Sequence, residues 1–431
     1  MFEQFWTISR NTFTEAIRQP IYVVLILAGV LMLVLNPFLA AYSMEAGKFG
    51  DNKMLVDMGL STLFIVGLLL AAFSATGVMS AEIESRTVLT VVSKPVPRPL
   101  VVLGKFAGVI GAISVSYLIL AMVFGLSVRH RVMSTASQDL DWPVLSFGVG
   151  FSLIAVGVAT FGNYFFRWVW ASTMVLGLAL ATLCAFVLVL VVGPEWELQT
   201  PVLELSRDDW FMGQTLIGTV LVWFGVMILG SVAVTVSTRL GQVPTVLICV
   251  LVFGAGVLSQ SYIRAIDNKI GITSEAHFAH SGDGRVSPWH RVLESWRNLD
   301  LRNSVKMSLA RQSDTFTRER FDLLVGELEM SETQREEAFR FYVVEKRLPD
   351  EVVNELAETA RLPISERVIC FAGVVLHWVS PNLQYLWPAD AITQGHHIPA
   401  SYVLRCAIYT VTYMFAVLAI GVALFQRREV G

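Results

Sequence analysis

IYVVLILAGVLMLVLNPFLAAY, residues 21–42, carries no charged side chain. The hydrocarbon core of a bilayer is about 30 Å thick, and about 20 apolar residues in a helix cross it. This stretch therefore reads as a membrane span. Seven further runs of the same kind follow: Met58–Met79, Phe106–Val128, Val144–Gly162, Ser172–Gly193, Gln214–Val236, Val243–Ser261 and Cys406–Phe425. The expected fold class is an all-α polytopic membrane protein with about eight transmembrane helices and an inserted external helical domain. Only 16% of the residues are charged and 54% are hydrophobic, against about 25% charged in an ordinary soluble domain.

The charges that exist are concentrated. Arg264–Arg367 holds 16 Lys/Arg and 19 Asp/Glu, more than half of all charges in the chain. Residues 262–367 thus form a polar domain set between residues 1–261, with seven spans, and residues 368–431, with an interfacial segment, the last span and a tail. Ser331 and Gln334 form a capping box ahead of ETQREEAFRFYVVEKR. Ser287-Pro288 opens another helix. The stretch Val368–Ala389 is broken by Ser380-Pro381-Asn382-Leu383-Gln384. It is too short in clean apolar residues to span, and reads as interfacial or re-entrant.

Orientation follows from where Lys and Arg lie. Arg10, Arg18, Arg86, Lys94, Arg98, Lys105, Arg167, Arg239, Arg427 and Arg428 fall on one side, which places both termini in the cytoplasm. The loop Pro194–Gly213 on the other side is acidic, and only Arg129 and Arg131 break the pattern. Trp142, Trp168, Trp170, Trp196, Trp210 and Trp387 sit at span ends, as an interfacial aromatic belt would have them. The N-terminal twenty residues are amphipathic and mixed in charge, unlike a cleavable signal peptide.

Catalytic or metal chemistry finds little to work with. Cys184, Cys249, Cys370 and Cys406 lie in apolar runs with no CxxC pair; they read as small hydrophobes. His277, His280, Asp283 and His290 read as solvated loop residues rather than three or four convergent metal ligands. The spans lack the interior charges of an ion or proton path; Lys105, Asp57 and Arg405 lie at span ends, where long cations can snorkel. Gly104, Gly108 and Gly111 suit close helix packing in the third span. No nucleic-acid partner is suggested.

The segment between the second and third spans, SAEIESRTVLTVVSKPVPRPLVVLGKF at residues 80–106, is different in character. It is charged at both ends, apolar between, and punctuated by Pro95, Pro97 and Pro99. Prolines end a helix by removing donors and biasing their predecessors toward extended backbone. A short amphipathic helix, about Glu82–Val92, is expected along the inner membrane surface.

The pattern made by Glu82, Glu84, Thr87, Ser93, Lys94, Pro95, Val96, Arg98, Gly104 and Lys105 resembles the type-2 ABC exporter permease family. So do the N-terminal amphipathic helix and SPNLQYLWPADAITQGHHIPASYV with its following span. The likeness covers the first 130 residues or so and the last 55. The resemblance implies that residues 80–105 are a coupling helix seated in an ATP-binding-cassette ATPase subunit. Glu82, Glu84, Arg86, Thr87, Ser93, Lys94, Pro95, Arg98 and Lys105 would be its coupling residues. It implies a bacterial plasma (inner) membrane location, a second permease chain as partner, and ATP and Mg bound by the ATPase. The chain has no G-x-x-x-x-G-K-[ST] loop of its own, since Gly104-Lys105 is followed by Phe106. It is thus expected to be a transporter subunit and not an enzyme. Members of that family commonly have six spans; this chain reads as eight. The alternative is a non-transporting membrane scaffold, or a mechanotransmission subunit acting on an external protein.

Overall fold

The computed structural model describes residues 1–41, 50–84, 97–132, 140–205, 212–278, 330–345 and 364–426, together with 318, 321, 322, 349, 351 and 352. The described chain is helical: α1 Phe2–Arg18, α2 Pro20–Ala40, α3 Gly50–Glu84, α4 Arg98–His130, α5 Trp142–Phe166, α6 Trp170–Val191, α7 Pro201–Leu205, α8 Met212–Ser237 and α9 Gln242–Phe278. There follow α10 Glu332–Glu345, α11 Ile364–Val379, a 3-10 turn at Leu383–Leu386, α12 Ala389–Thr393 and α13 Ala400–Gln426. Among the described residues there is one isolated β-bridge, Val192 to Leu198, and no strand. Eight of the helices, α2 to α6, α8, α9 and α13, are long and apolar enough to cross a membrane. The protein is a multi-pass, all-α membrane protein.

The chain divides into two compact units. The first comprises Met1–Gly254 and Leu383–Gly431; the second comprises Ala255–Asn382. The division falls outside the limits of 262 and 367 that charge alone draws.

In the first unit, α3, α4 and α8 form the core. In α8, 72% of the most apolar window is buried in protein, against 17% in α5. The helices are stitched by single polar groups, the favoured device where hydrocarbon offers no partner. Tyr117 Oη donates to the Thr219 carbonyl at 2.7 Å. Tyr22 Oη donates to the Ala112 carbonyl at 2.5 Å, and Asn36 Nδ2 to the Leu55 carbonyl at 2.8 Å. Arg239 caps the end of α13 by donating to the Leu424 carbonyl.

Arg129, which charge counting leaves on the wrong side, is 1% exposed. Its Nε meets Asp141 Oδ2 at 3.1 Å, and its Nη1 donates to the Val189 carbonyl at 3.4 Å. Asp141 also N-caps α5, accepting from the Val144 amide at 3.2 Å. Arg129 is thus a neutralised ion pair tying α4, α5 and α6 together, which removes it from the orientation count.

The Val368–Ala389 stretch does not form one helix. It divides into α11, in the second unit, and the 3-10 turn and α12, which pack against α3 and α8. Pro388 and Ile392 lie over Gly218, and Leu386 near Gly225. Trp387 is half-buried and stacks on Phe64 at 6.1 Å. The last span begins at Ala400, earlier than its apolar run indicates.

The second unit shows the capping box that the sequence predicts. The Ser331 amide donates to Gln334 Oε1 at 3.1 Å, and the Gln334 amide to Ser331 Oγ at 3.4 Å. Phe321 packs on Phe339 and Tyr342, while Arg318 lies over Phe339 and pairs with Glu336 at 2.8 Å. The helix predicted at Ser287-Pro288 and the residues His280, Asp283 and His290 lie outside the described residues.

Candidate functional site

The segment at 80–105 is framed by the two longest helices of the core. α3 runs without a break from Gly50 to Glu84, so Glu82 and Glu84 end the second span's own helix. They do not begin a separate interfacial helix. The reason is local: Ser80-Ala81-Glu82-Ile83-Glu84 contains no glycine or proline, and Ala and Glu are good helix formers. At the other side of the segment, Pro97 caps α4 and Pro99 sits in its first turn, where a missing amide costs nothing. Helix therefore begins at Arg98, eight residues before the apolar run. Arg98 and Lys105 are helical residues of α4 and not part of a loop. Lys105 is 6% exposed, so it is packed within protein instead of snorkelling to an interface. Arg86, Thr87, Ser93, Lys94, Pro95 and Val96 lie outside the described residues.

α1 is the third wall. It is amphipathic: Glu3, Gln4, Thr7, Arg10, Asn11, Thr14, Glu15 and Arg18 share one face by helical spacing. Its other face meets the glycines of α4. A Cβ added at Gly104 would lie 2.9 Å from Ile8; at Gly108, 2.5 Å from the Ser9 carbonyl; at Gly111, 3.3 Å from Phe13. The order of these contacts shows that α1 and α4 run in the same direction. The glycine spacing marked a packing face in the sequence, but its partner, α1, carried no signal there.

The heights of these contacts define an overhang. Tyr22, near the start of α2, is level with Ala112 of α4, and Gln19 meets Gly77 of α3. Residues 98–111 of α4 thus project beyond the first span by about 20 Å, at 1.5 Å per residue, and residues 78–84 of α3 by about 10 Å. The segment at 80–105 hangs from two helices that continue into the most buried part of the bundle. α8 packs on both of these helices.

The opposite end of the bundle has a second polar arrangement, which sequence reading passed over. Gln214 at the start of α8 makes a 2.7 Å hydrogen bond to His397 Nδ1 and accepts from the Ile398 amide at 2.9 Å. Tyr402 Oη donates to the Tyr385 carbonyl at 2.7 Å. These bonds hold the 3-10 turn and α12 in place. Gly395, with φ +75°, makes the turn that leads into His396-His397; Gln214 is an isolated polar residue with no motif around it. Among the described residues no group of three or more His, Cys, Asp and Glu could hold a metal ion.

The chain matches no known protein family, no curated protein and no solved structure. Its functional reading therefore rests on its own residues and geometry.

Proposed function

We propose that this chain is the membrane-spanning permease subunit of an ABC exporter, driven by a separate ATP-binding-cassette subunit through residues 80–105. The observation that carries the reading is the overhang. Two core helices project past the first span, are braced by α1, and are joined by the segment whose residues resemble a coupling helix. ATP and Mg would be bound by the partner. Its closure and opening would rock the α3–α4 pair against the rest of the bundle, a rigid-body switch between inward and outward conformations. A second permease chain, identical or a sister, would complete the pathway. Eight spans put both termini on one side. With Arg10, Arg18, Arg167 and Arg239 there, that side is the cytoplasm, the membrane the bacterial plasma membrane, and the polar domain external.

The test is co-purification from native membranes in mild detergent, comparing wild type with Glu84→Arg. A nucleotide-binding ATPase is expected with wild type and lost with the variant. If none accompanies the wild type, the exporter reading fails and the polar domain becomes the place to seek function. ATPase activity coupled to an external protein, with no response to any small molecule, would instead favour mechanotransmission.

A further inference from the structure

The hairpin of α5 and α6 is the least charged part of the molecule. Arg167 is the sole charged residue between Asp141 and Glu195, and it sits at the hairpin tip. Around it lie Phe161, Tyr164, Phe165, Phe166 and Trp168, each exposed, with Tyr164 at 80%. Exposed rings in such number in water would be an aggregation hazard; next to a bilayer they are an anchor.

The tip is a built structure. Arg167 holds φ 54°, ψ 32°, the left-handed conformation that glycine adopts freely and arginine adopts at a cost. The Arg167 and Trp168 amides both donate to the Gly162 carbonyl, and Asn163 Nδ2 donates to the Trp168 carbonyl at 2.7 Å. Trp170 Nε1 reaches Thr160 Oγ1 at 3.4 Å. A Cβ at Gly162 would stand 2.2 Å from the Trp168 ring, so glycine there lets the indole lie flat on α5. Trp168 in turn stacks on Phe166 at 5.5 Å, and Phe161 packs on Phe165 at 4.4 Å. Among the described residues Arg167 has no carboxylate partner. Strain is thus held in place to display one cation from an aromatic platform.

Length gives the depth of that cation. α5 has 25 residues, about 37 Å of helix, against a hydrocarbon core of about 30 Å. Trp142, 58% exposed, marks the other end. The tip therefore stands at headgroup level, and α5, packed on α6, buries only 17% of its most apolar window in protein.

We propose that the α5–α6 tip is a binding site for an anionic phospholipid, with Arg167 on the headgroup phosphate and the rings of Phe165, Phe166 and Trp168 against the glycerol and upper acyl chains. Guanidinium suits this task because its planar fork takes phosphate oxygens in pairs. The site adds to the exporter reading and does not depend on it.

The test is thermal unfolding of the purified full-length chain in nanodiscs of phosphatidylcholine, with or without a minor fraction of phosphatidylglycerol. Phosphatidylglycerol is expected to raise the wild-type midpoint. Arg167→Gly and Arg167→Gln should lose most of that increment, and Arg167→Gly should melt no lower than wild type in phosphatidylcholine alone, because the left-handed strain is gone. Lys53→Gln, at the other end of the bundle, should keep the full increment. The proposal is overturned if both Arg167 variants keep the increment, or if Lys53→Gln loses it equally. An equal rise on adding inorganic phosphate to phosphatidylcholine discs would also overturn it, showing a soluble-anion site. So would loss of ATPase capture in Arg167→Gly with the lipid increment intact, which would make the tip a protein-docking surface.

Discussion

Arg129 and Asp141 show how one residue pair can mislead a count and then explain it. A guanidinium at the end of a membrane helix is costly unless paired. Here it is paired, buried, and bonded onward to the Val189 carbonyl, so three helices share the cost. Removing one partner of such a pair leaves an uncompensated charge and costs about 3–5 kcal/mol, whereas replacing both by apolar groups is often neutral. Arg129→Met alone is expected to lower the unfolding midpoint markedly. Asp141→Asn should do likewise while keeping the α5 cap. The double variant Arg129→Met, Asp141→Leu should recover a large part of the loss. Differential scanning fluorimetry in one detergent checks all three; a double variant no better than the worse single would show that the pair acts through something other than its charge.

Between elements, the docking of α1 along α4 is set by glycines whose neighbours differ in how far they can yield. At Gly108 the obstacle is the Ser9 backbone carbonyl at 2.5 Å, which cannot turn aside; at Gly104 it is the Cγ2 methyl of Ile8 at 2.9 Å; at Gly111 it is the edge of Phe13 at 3.3 Å. Overpacking typically costs about 1–3 kcal/mol, and backbone obstacles fall at the upper end. Gly108→Ala should therefore loosen α1 most, Gly104→Ala less and Gly111→Ala least. Amide hydrogen exchange over residues 2–18 reads the order directly. If α1 also carries the coupling segment, the same ranking should appear in ATPase co-purification; the same exchange order with unchanged co-purification would confine α1 to a structural role.

For the whole molecule, the decisive statement is which residues share a side. Arg10, Arg167 and Arg239 should lie on one face of the membrane and Lys53, Glu195 and His396 on the other, because eight helices alternate between them. Single cysteines at these positions, labelled by an impermeant maleimide in intact cells and in inside-out vesicles, should sort into those two groups. Cys249, Cys370 and Cys406 are buried, and the half-buried Cys184 lies within the α6 span, so background labelling should be low. The 3-10 turn and α12 should label, if at all, with Glu195. Labelling of Asp390 together with Arg167 would mean that the segment crosses the membrane, and would overturn the topology.

The amino-acid sequence by itself determined the class and the runs long enough to span, because lipid exposure is decided by composition over some twenty neighbouring residues. Eight apolar runs became eight long helices, with the Val368–Ala389 stretch excluded from them. The capping box at Ser331 was legible for the same reason, since all its partners lie within four residues. Tertiary structure alone decided the rest. Inside a bilayer a lipid tail and a leucine are equally apolar, so hydropathy cannot say which helix faces which. Shape and single hydrogen bonds between distant residues do that: Gly108 against Ser9, Tyr117 on Thr219, Gln214 on Ile398, Arg129 on Asp141. The overhang of α3 and α4 was hidden for a related reason. Its outer turns, residues 80–84 and 98–105, lie beyond the apolar runs and follow from helix propensity and from packing on α1.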